Sequence, residues 1–359
     1  MKQLSHFKRA VALVLLGLPL FFTACGDDNA TGSDPTWHWS ALGDGLTGTV
    51  NAVEEYGGKL YAGGTITGGA KVLNGGQWES IGPTPSDVIN GYVYDLIRYD
   101  NRLVVTGSFT SIGALAANGI AAWDGSSWSA LGSGLPVNMN GRRMAVYNGE
   151  LIVGNTGLTA DLLVMAWDGS SWTTIKSGGL GMVLDMCEYD GELVVVGDSI
   201  VDHGSYVQAY PWIRSWDGSA WTDMSTGASD PRAIAVMDDS LYLSPGNFTS
   251  LRVWTGSAWG ERSSAVFEDD EHNAAVYRMA CYDGKLVLAG DFDRIDADTV
   301  FNIATWDGSS FAPITTGLTG PSDPMVMVLR CLDNRLIVGG RFTHAGGVEA
   351  ANIAEWCYR

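Results

Sequence analysis

Two consecutive stretches decide the fold: Val276-Tyr-Arg-Met-Ala-Cys-Tyr-Asp-Gly-Lys-Leu-Val-Leu-Ala-Gly290 and Asn302-Ile-Ala-Thr-Trp-Asp-Gly-Ser-Ser-Phe311. An apolar strand over 276–282 runs into Asp283-Gly284. That dipeptide accepts positive φ at two successive positions, which a two-residue type I′ hairpin requires. A second strand returns over 285–291. A longer connection then leads to a third strand over 302–306, an Asp-Gly turn at 307–308, and a fourth strand over 309–314. Helical periodicity is absent throughout.

The unit repeats along the chain. Its hairpin recurs at 56–64, 99–107, 147–155, 189–197, 237–245, 282–290 and 332–340. Its third and fourth strands carry aromatics five positions apart: Trp123/Trp128, Trp167/Trp172, Trp216/Trp221, Trp254/Trp259 and Trp306/Phe311, with Leu73/Trp78 as a degenerate copy. Trp356 has no downstream partner. Trp39 supplies one, because Trp39-Ser-Ala-Leu-Gly-Asp-Gly-Leu46 nearly repeats Trp128-Ser-Ala-Leu-Gly-Ser-Gly-Leu135. A period of about 46 residues with four short strands per copy indicates a β-propeller. The expectation is an all-β, seven-bladed β-propeller over 37–359, with four antiparallel strands per blade. The N-terminal strand completes the last blade and closes the ring, which removes an exposed edge.

The run Met165-Ala-Trp-Asp-Gly-Ser-Ser-Trp172, with Tyr147-Asn-Gly-Glu-Leu-Ile-Val-Gly154 before it, resembles kelch-type repeats. It is more similar still to the "NIAxWDGSSW" repeats of bacterial exported lipoproteins and of fungal cortical cell-polarity marker proteins. The resemblance covers about 37–359. It implies a propeller and frequent protein binding, and it implies no catalytic residues.

The N-terminus reads as a targeting segment. Lys2, Lys8 and Arg9 precede an apolar run over 10–22 that is too short for a comfortable membrane span. Phe22-Thr-Ala-Cys25 resembles a bacterial lipobox, which implies a lipoprotein signal peptide over 1–24 and a lipidated Cys25. Residues 25–36 have tether composition. The expected location is the bacterial cell envelope, at the outer membrane in a Gram-negative host, with membrane contact only through the lipid.

Formal charge is −19, and it becomes −22 without Lys2, Lys8 and Arg9. That field repels phosphate backbones and argues against nucleic acid. The expected partner is a protein or a glycan, bound by a monomer. Cys187, Cys281, Cys331 and Cys357 lack metal-finger spacing. A Cys331–Cys357 bridge would staple the C-terminus, although sequence alone does not fix connectivity.

Topology places the short A–B and C–D hairpins on one face and the long B–C and D–A connections on the other, where binding is expected. Repeat four departs from the pattern there. Its segment His203, Tyr206, Tyr210, Trp212 and Arg214 offers aromatics and a cation for a ligand; the plainer alternative is a loop packing its own apolar residues. Asp291, Asp293, Asp296 and Asp298 in repeat six have oxygen ligands suited to Ca²⁺, against the plainer reading of a solvated acidic loop. Glu268-Asp-Asp-Glu-His272 adds to that acidic sector. No H-E-x-x-H, G-x-S-x-G or P-loop pattern occurs, so no catalytic residue is assigned. Asp202, His203, Asp230, Arg232, His272, Arg294 and His344 could converge only through the fold.

The leading reading is a non-catalytic, lipid-anchored binding propeller. One alternative is a polysaccharide-directed hydrolase or lyase using loop-face carboxylates and histidines. Another is a scaffold lipoprotein in an envelope assembly.

Overall fold

The computed structural model describes residues 36–358, except 138, 157–160, 203–206, 225–230, 246–249, 270–273, 321–323 and 333. The expected signal and tether, with Cys25, lie outside the described residues.

Every regular element among the described residues is a β-strand. In the first sheet Val50–Tyr56, Lys59–Gly64, Ala70–Asn74 and Gln77–Ser80 pair in sequence order. The same meander recurs, for example in Tyr92–Tyr99, Arg102–Ser108, Ile120–Trp123 and Trp128–Ala130. It recurs again in Ala275–Tyr282, Lys285–Asp291, Ile303–Trp306 and Phe311–Pro313. The first strand of each meander packs against the first strand of the next, and Met325–Leu332 packs against Val50–Tyr56. These inner strands surround a central channel, so the chain is a β-propeller and each meander a blade. Trp37–Ala41 pairs antiparallel with Ile353–Tyr358, setting Trp39 opposite Trp356. Strands from the two ends of the chain thus share one sheet.

The hairpin chemistry is as local physics requires. Asp283 and Gly284 have φ of 50° and 69°, and Asn148 and Gly149 have 50° and 81°. Both positions of a type I′ turn lie in the left-handed region, which Asn, Asp and Gly tolerate best. The C–D connections differ from the expected two-residue turn. Trp306 pairs directly with Phe311, and Trp167 with Trp172, which leaves four-residue loops. The leading Asp folds each loop through its side chain. Asp168 Oδ1 accepts from the Ser170 and Ser171 amides at 2.7 and 2.8 Å, and Oδ2 accepts from the Ser171 hydroxyl at 3.0 Å. These donors hold the carboxyls of Asp124, Asp168 and Asp307 well below the usual carboxylate range.

One D–A connection is not a loop. Trp172–Tyr189 is a single strand that ends one blade and begins the next, joining seven strands in one sheet. It carries no proline, whereas 81–91, 131–139 and 314–324 do.

Packing between blades forms the core. Val287, Ala289, Ile303 and Leu336 are fully buried in one such layer, and Leu103, Val105, Ala121 and Val93 in another. The sequence-spaced aromatics meet as direct cross-strand neighbours, with ring centroids at 5.4 Å for Trp123/Trp128 and 5.1 Å for Trp167/Trp172. The outer tryptophan also ties its blade to the preceding one. Trp78, Trp128, Trp172, Trp221 and Trp259 donate their indole N–H to the carbonyls of Leu42, Ile81, Leu131, Ile175 and Met224. Each acceptor lies three residues after the equivalent aromatic of the neighbouring blade. Strand-ending glycines allow close blade contact, since a Cβ on Gly63 would stand 2.5 Å from Val93 Cγ1.

Cys331 is a free thiol, so a Cys331–Cys357 bridge is not present. Cys331 instead directs Sγ at the Cys281 carbonyl, 3.0 Å away.

Candidate functional site

Repeat four does not present the expected aromatic anchor. Trp212 is only 6% exposed. It lies within the strand Val207–Trp216, opposite Gly197, and packs with Ile152, Val183 and Val195 between two blades. The absent side chain at Gly197 makes room for the indole, since a Cβ there would meet Trp212 at 2.4 Å. The equivalent positions, Asn302 and Asn352, have positive φ and tie loops together with their amides. Repeat four replaces that loop by a long strand and buries the ring. Arg214 covers it at 5.6 Å, and Tyr210 is 44% exposed. His203 and Tyr206 lie outside the described residues.

The four aspartates of repeat six do not assemble a calcium site. Among the described residues no group of three or more His, Cys, Asp or Glu is placed to hold a metal ion. The loop is organised by backbone instead: Phe267–Glu268, Arg294–Ile295 and Asp298–Thr299 form a small sheet. Asp296 accepts from the Val266 amide at 2.9 Å, and Arg294 pairs with Glu268 at 3.3 Å. Asp291 ends a strand, and Asp293 accepts the Val300 amide on its own carbonyl.

The concave chemistry sits in the central channel, a cavity of about 430 Å³ walled by the inner strands. These strands carry Arg98, Arg142, Arg143, Arg232, Arg278 and Arg330 against Glu54, Glu55, Asp95, Asp185 and Glu188. Those lining the cavity are Arg98, Arg143, Arg278 and Arg330 with Glu54, Asp95 and Asp185, in a chain with 40 acidic and 21 basic residues.

At the hairpin end of the channel the charges are paired. Glu54 is fully buried and meets Arg330 and, at 3.5 Å, Arg98. In the middle, Asp95 and Asp185 join adjacent blades. Asp95 accepts from its own neighbour Leu96 at 2.9 Å and from the next blade's Met144 amide at 2.7 Å. Asp185 does the same with Met186 and Ile234, at 3.1 Å each. Burial raises both carboxyls, Asp185 to about 6, and Arg143 between them offsets part of the rise. Arg143 donates Nε to Leu184 O at 3.1 Å and Nη1 to Tyr94 O at 3.2 Å, bridging the blades on either side.

Towards the loop face, every inner strand carries a β-bulge at the same place. The register skips Asn51, Tyr94, Arg142, Leu184, Arg232, Tyr277 and Met327. A bulged residue has no cross-strand partner, and its side chain is re-aimed. Arg143 and Arg278 sit one residue later and cap bulge carbonyls. Within the bulge level itself there is no carboxylate. Arg142 and Arg232 stand on inner strands two blades apart, and the charge of Arg232 acts on Arg142. Burial, with Arg143 and Arg232, pulls Arg142 down to about 10. Arg232 lies 5.9 Å from the centre of the Tyr277 ring. Reading the repeats for aromatics missed these positions. Aligning the inner strands on their closing residues would have exposed the arginine-and-tyrosine level.

Comparison with known proteins bears on the fold. Residues 331–355 match the model described as "Domain of unknown function (DUF5122) beta-propeller". No curated protein sequence matches the chain significantly. Among solved structures, the WD40 β-propeller domain of Doa1 is similar with a TM-score of 0.54 at 16% identity, covering 89% of this chain and 97% of that one. The computationally designed Ika8 protein gives 0.53 at 14%, covering 88% and 99%. The β-propeller domain of the Trilobed protease from Pyrococcus furiosus, described as having an open velcro topology, gives 0.50 at 12%, covering 86% and 95%. At these identities the likeness is one of fold, and what the chain shares with the Doa1 and Trilobed protease domains is the β-propeller.

Proposed function

We propose that this chain is a seven-bladed propeller that binds a protein or glycan without transforming it. In this reading the N-terminal strand completes the last blade. Residues 1–24 are removed, Cys25 carries lipid, and 25–36 tether the propeller to the cell envelope. The ring is supported by the pairing of Trp37–Ala41 with Ile353–Tyr358, and by Gly339, where a Cβ would stand 2.7 Å from Val50.

One observation carries the preference for binding over catalysis. Both oxygens of Asp95 and both of Asp185 are engaged by backbone N–H groups. Glu54 is likewise held by Arg98 and Arg330. General acid–base work needs a carboxyl or imidazole that can reach a substrate proton. Among the described residues, the carboxylates that line the channel, Glu54, Asp95 and Asp185, are already committed to holding blades together. The ligand site is the loop-face mouth of the channel, inward of Tyr210 and Arg214.

The test is the full chain incubated with a panel of envelope polysaccharides and peptides. Saturable binding with no new reducing ends or unsaturated products is expected. Turnover of any member would overturn the non-catalytic reading.

A further inference from the structure

Binding at the loop-face mouth, the reading on which this inference rests, leaves the ligand's chemistry open, and the bulge level narrows it. Six of the seven bulged side chains are half-buried, and Leu184 alone is fully packed away. Their order around the ring is Asn, Tyr, Arg, Leu, Arg, Tyr, Met. Two arginines and two tyrosines thus stand among seven bulged residues none of which is acidic, inside a chain of net charge −19.

Arg142 is under-partnered. Its Nη1 reaches Thr156 Oγ1 at 3.4 Å, and its Nε is shielded from solvent without a hydrogen-bond partner. A guanidinium has five N–H donors in a planar fork that matches a carboxylate. Leaving such donors unmet within a protein is unfavourable, and an incoming anion relieves it. Asp198 and Tyr94 attract Arg142 but do not outweigh burial and the neighbouring arginines. Tyr94 and Tyr277 flank the two arginines in ring order. Aromatic faces beside a carboxylate fork fit a sugar ring that bears an acid group.

We propose that the bulge level binds a carboxylated glycan, with the uronate carboxylate on Arg142 and Arg232 and the sugar against Tyr94 and Tyr277. The site is a ring of bulged residues, each on a separate blade, so the ligand enters along the channel axis from the loop face.

Affinity of the full chain is measured for de-esterified oligogalacturonate, its fully methyl-esterified form and polyglutamate. The wild type is expected to bind the free uronate at least about tenfold more tightly than the ester. Arg142→Gln with Arg232→Gln should remove that preference, and Arg142→Lys should keep part of it, because it retains charge but not the fork. Melting curves of each variant establish that the fold is retained; a collapsed double variant leaves Arg142→Lys and the ester comparison to decide. Equal binding of acid and ester overturns the proposal, as does uronate binding that survives in a folded double variant. Preference for polyglutamate also overturns it, in favour of an acidic protein partner. Binding of another panel member without uronate binding sinks this inference while the binding reading stands; turnover sinks that reading itself.

Discussion

Within each aromatic pair the two rings do different work. The outer indole spans the gap between blades and donates to a main-chain carbonyl, as Trp172 does to Leu131 at 3.0 Å. The inner indole of Trp167 is buried with its N–H unpartnered. Trp172→Phe should therefore destabilise by about 1–2 kcal/mol, since it strands a carbonyl, and Trp167→Phe by less. Thermal and denaturant melts read the difference; equal losses would refute the division. Position 311 offers the converse experiment. Phe311 lacks the N–H, and a cavity of about 290 Å³ lies beside it, lined in part by Ser263 and Trp306. Following the three-residue rule, an indole at 311 would reach the carbonyl of Arg262. Phe311→Trp is expected to stabilise by about 1 kcal/mol. No gain in melting temperature would show that the neighbouring blade is not spaced to accept it.

At the level of strands and loops, carboxylates of opposite behaviour divide the pH response. Burial raises Asp185 to about 6 in the folded protein, above its unfolded value near 3.9. Its ionised form is thus disfavoured by folding, and stability should rise as pH falls from about 6 to about 4. The loop carboxyls of Asp124, Asp168 and Asp307 are depressed, so their contribution is present above about 4 and is lost below it. Melting temperature should climb modestly on mild acidification and fall on strong acidification. Asp185→Asn should flatten the climb and leave the acid fall in place; an unchanged climb would locate it elsewhere. These elements also show what a reader of residues can and cannot see. The strand spacing and the I′ hairpins are local, because Asp-Gly and Asn-Gly state their own φ. The C–D loop is not, because in Asp-Gly-Ser-Ser the bonds that fold it come from the Asp side chain. The bulges are less legible still: they are a property of pairing register, and residues as unlike as Asn51, Leu184 and Met327 occupy them. Trp212 misled because its loop-like position is overwritten by a strand extended to ten residues.

Over the whole molecule, both chain ends bear on one blade. Trp37–Ala41 covers Ile353–Tyr358, and the following segment adds further ties. The Leu46 amide donates to Ala351 O at 2.9 Å, and Trp78 donates to Leu42 O at 2.8 Å. Deleting residues 37–46 exposes a sheet edge and severs those bonds at once. Loss of a single cooperative transition is expected in calorimetry; a truncated protein with an unchanged melt would sink the closed-ring reading. The recurring bulge has a consequence of another kind. Ladder pairing dictates the neighbours of every other residue on an inner strand, but a bulged residue has no opposite number to satisfy. Substituting it leaves the register of both strands alone. Leu184 aside, which is packed into the core, the propeller thus holds half-buried seats around its axis, each on its own blade, that can be re-chosen singly while the frame that displays them stays the same.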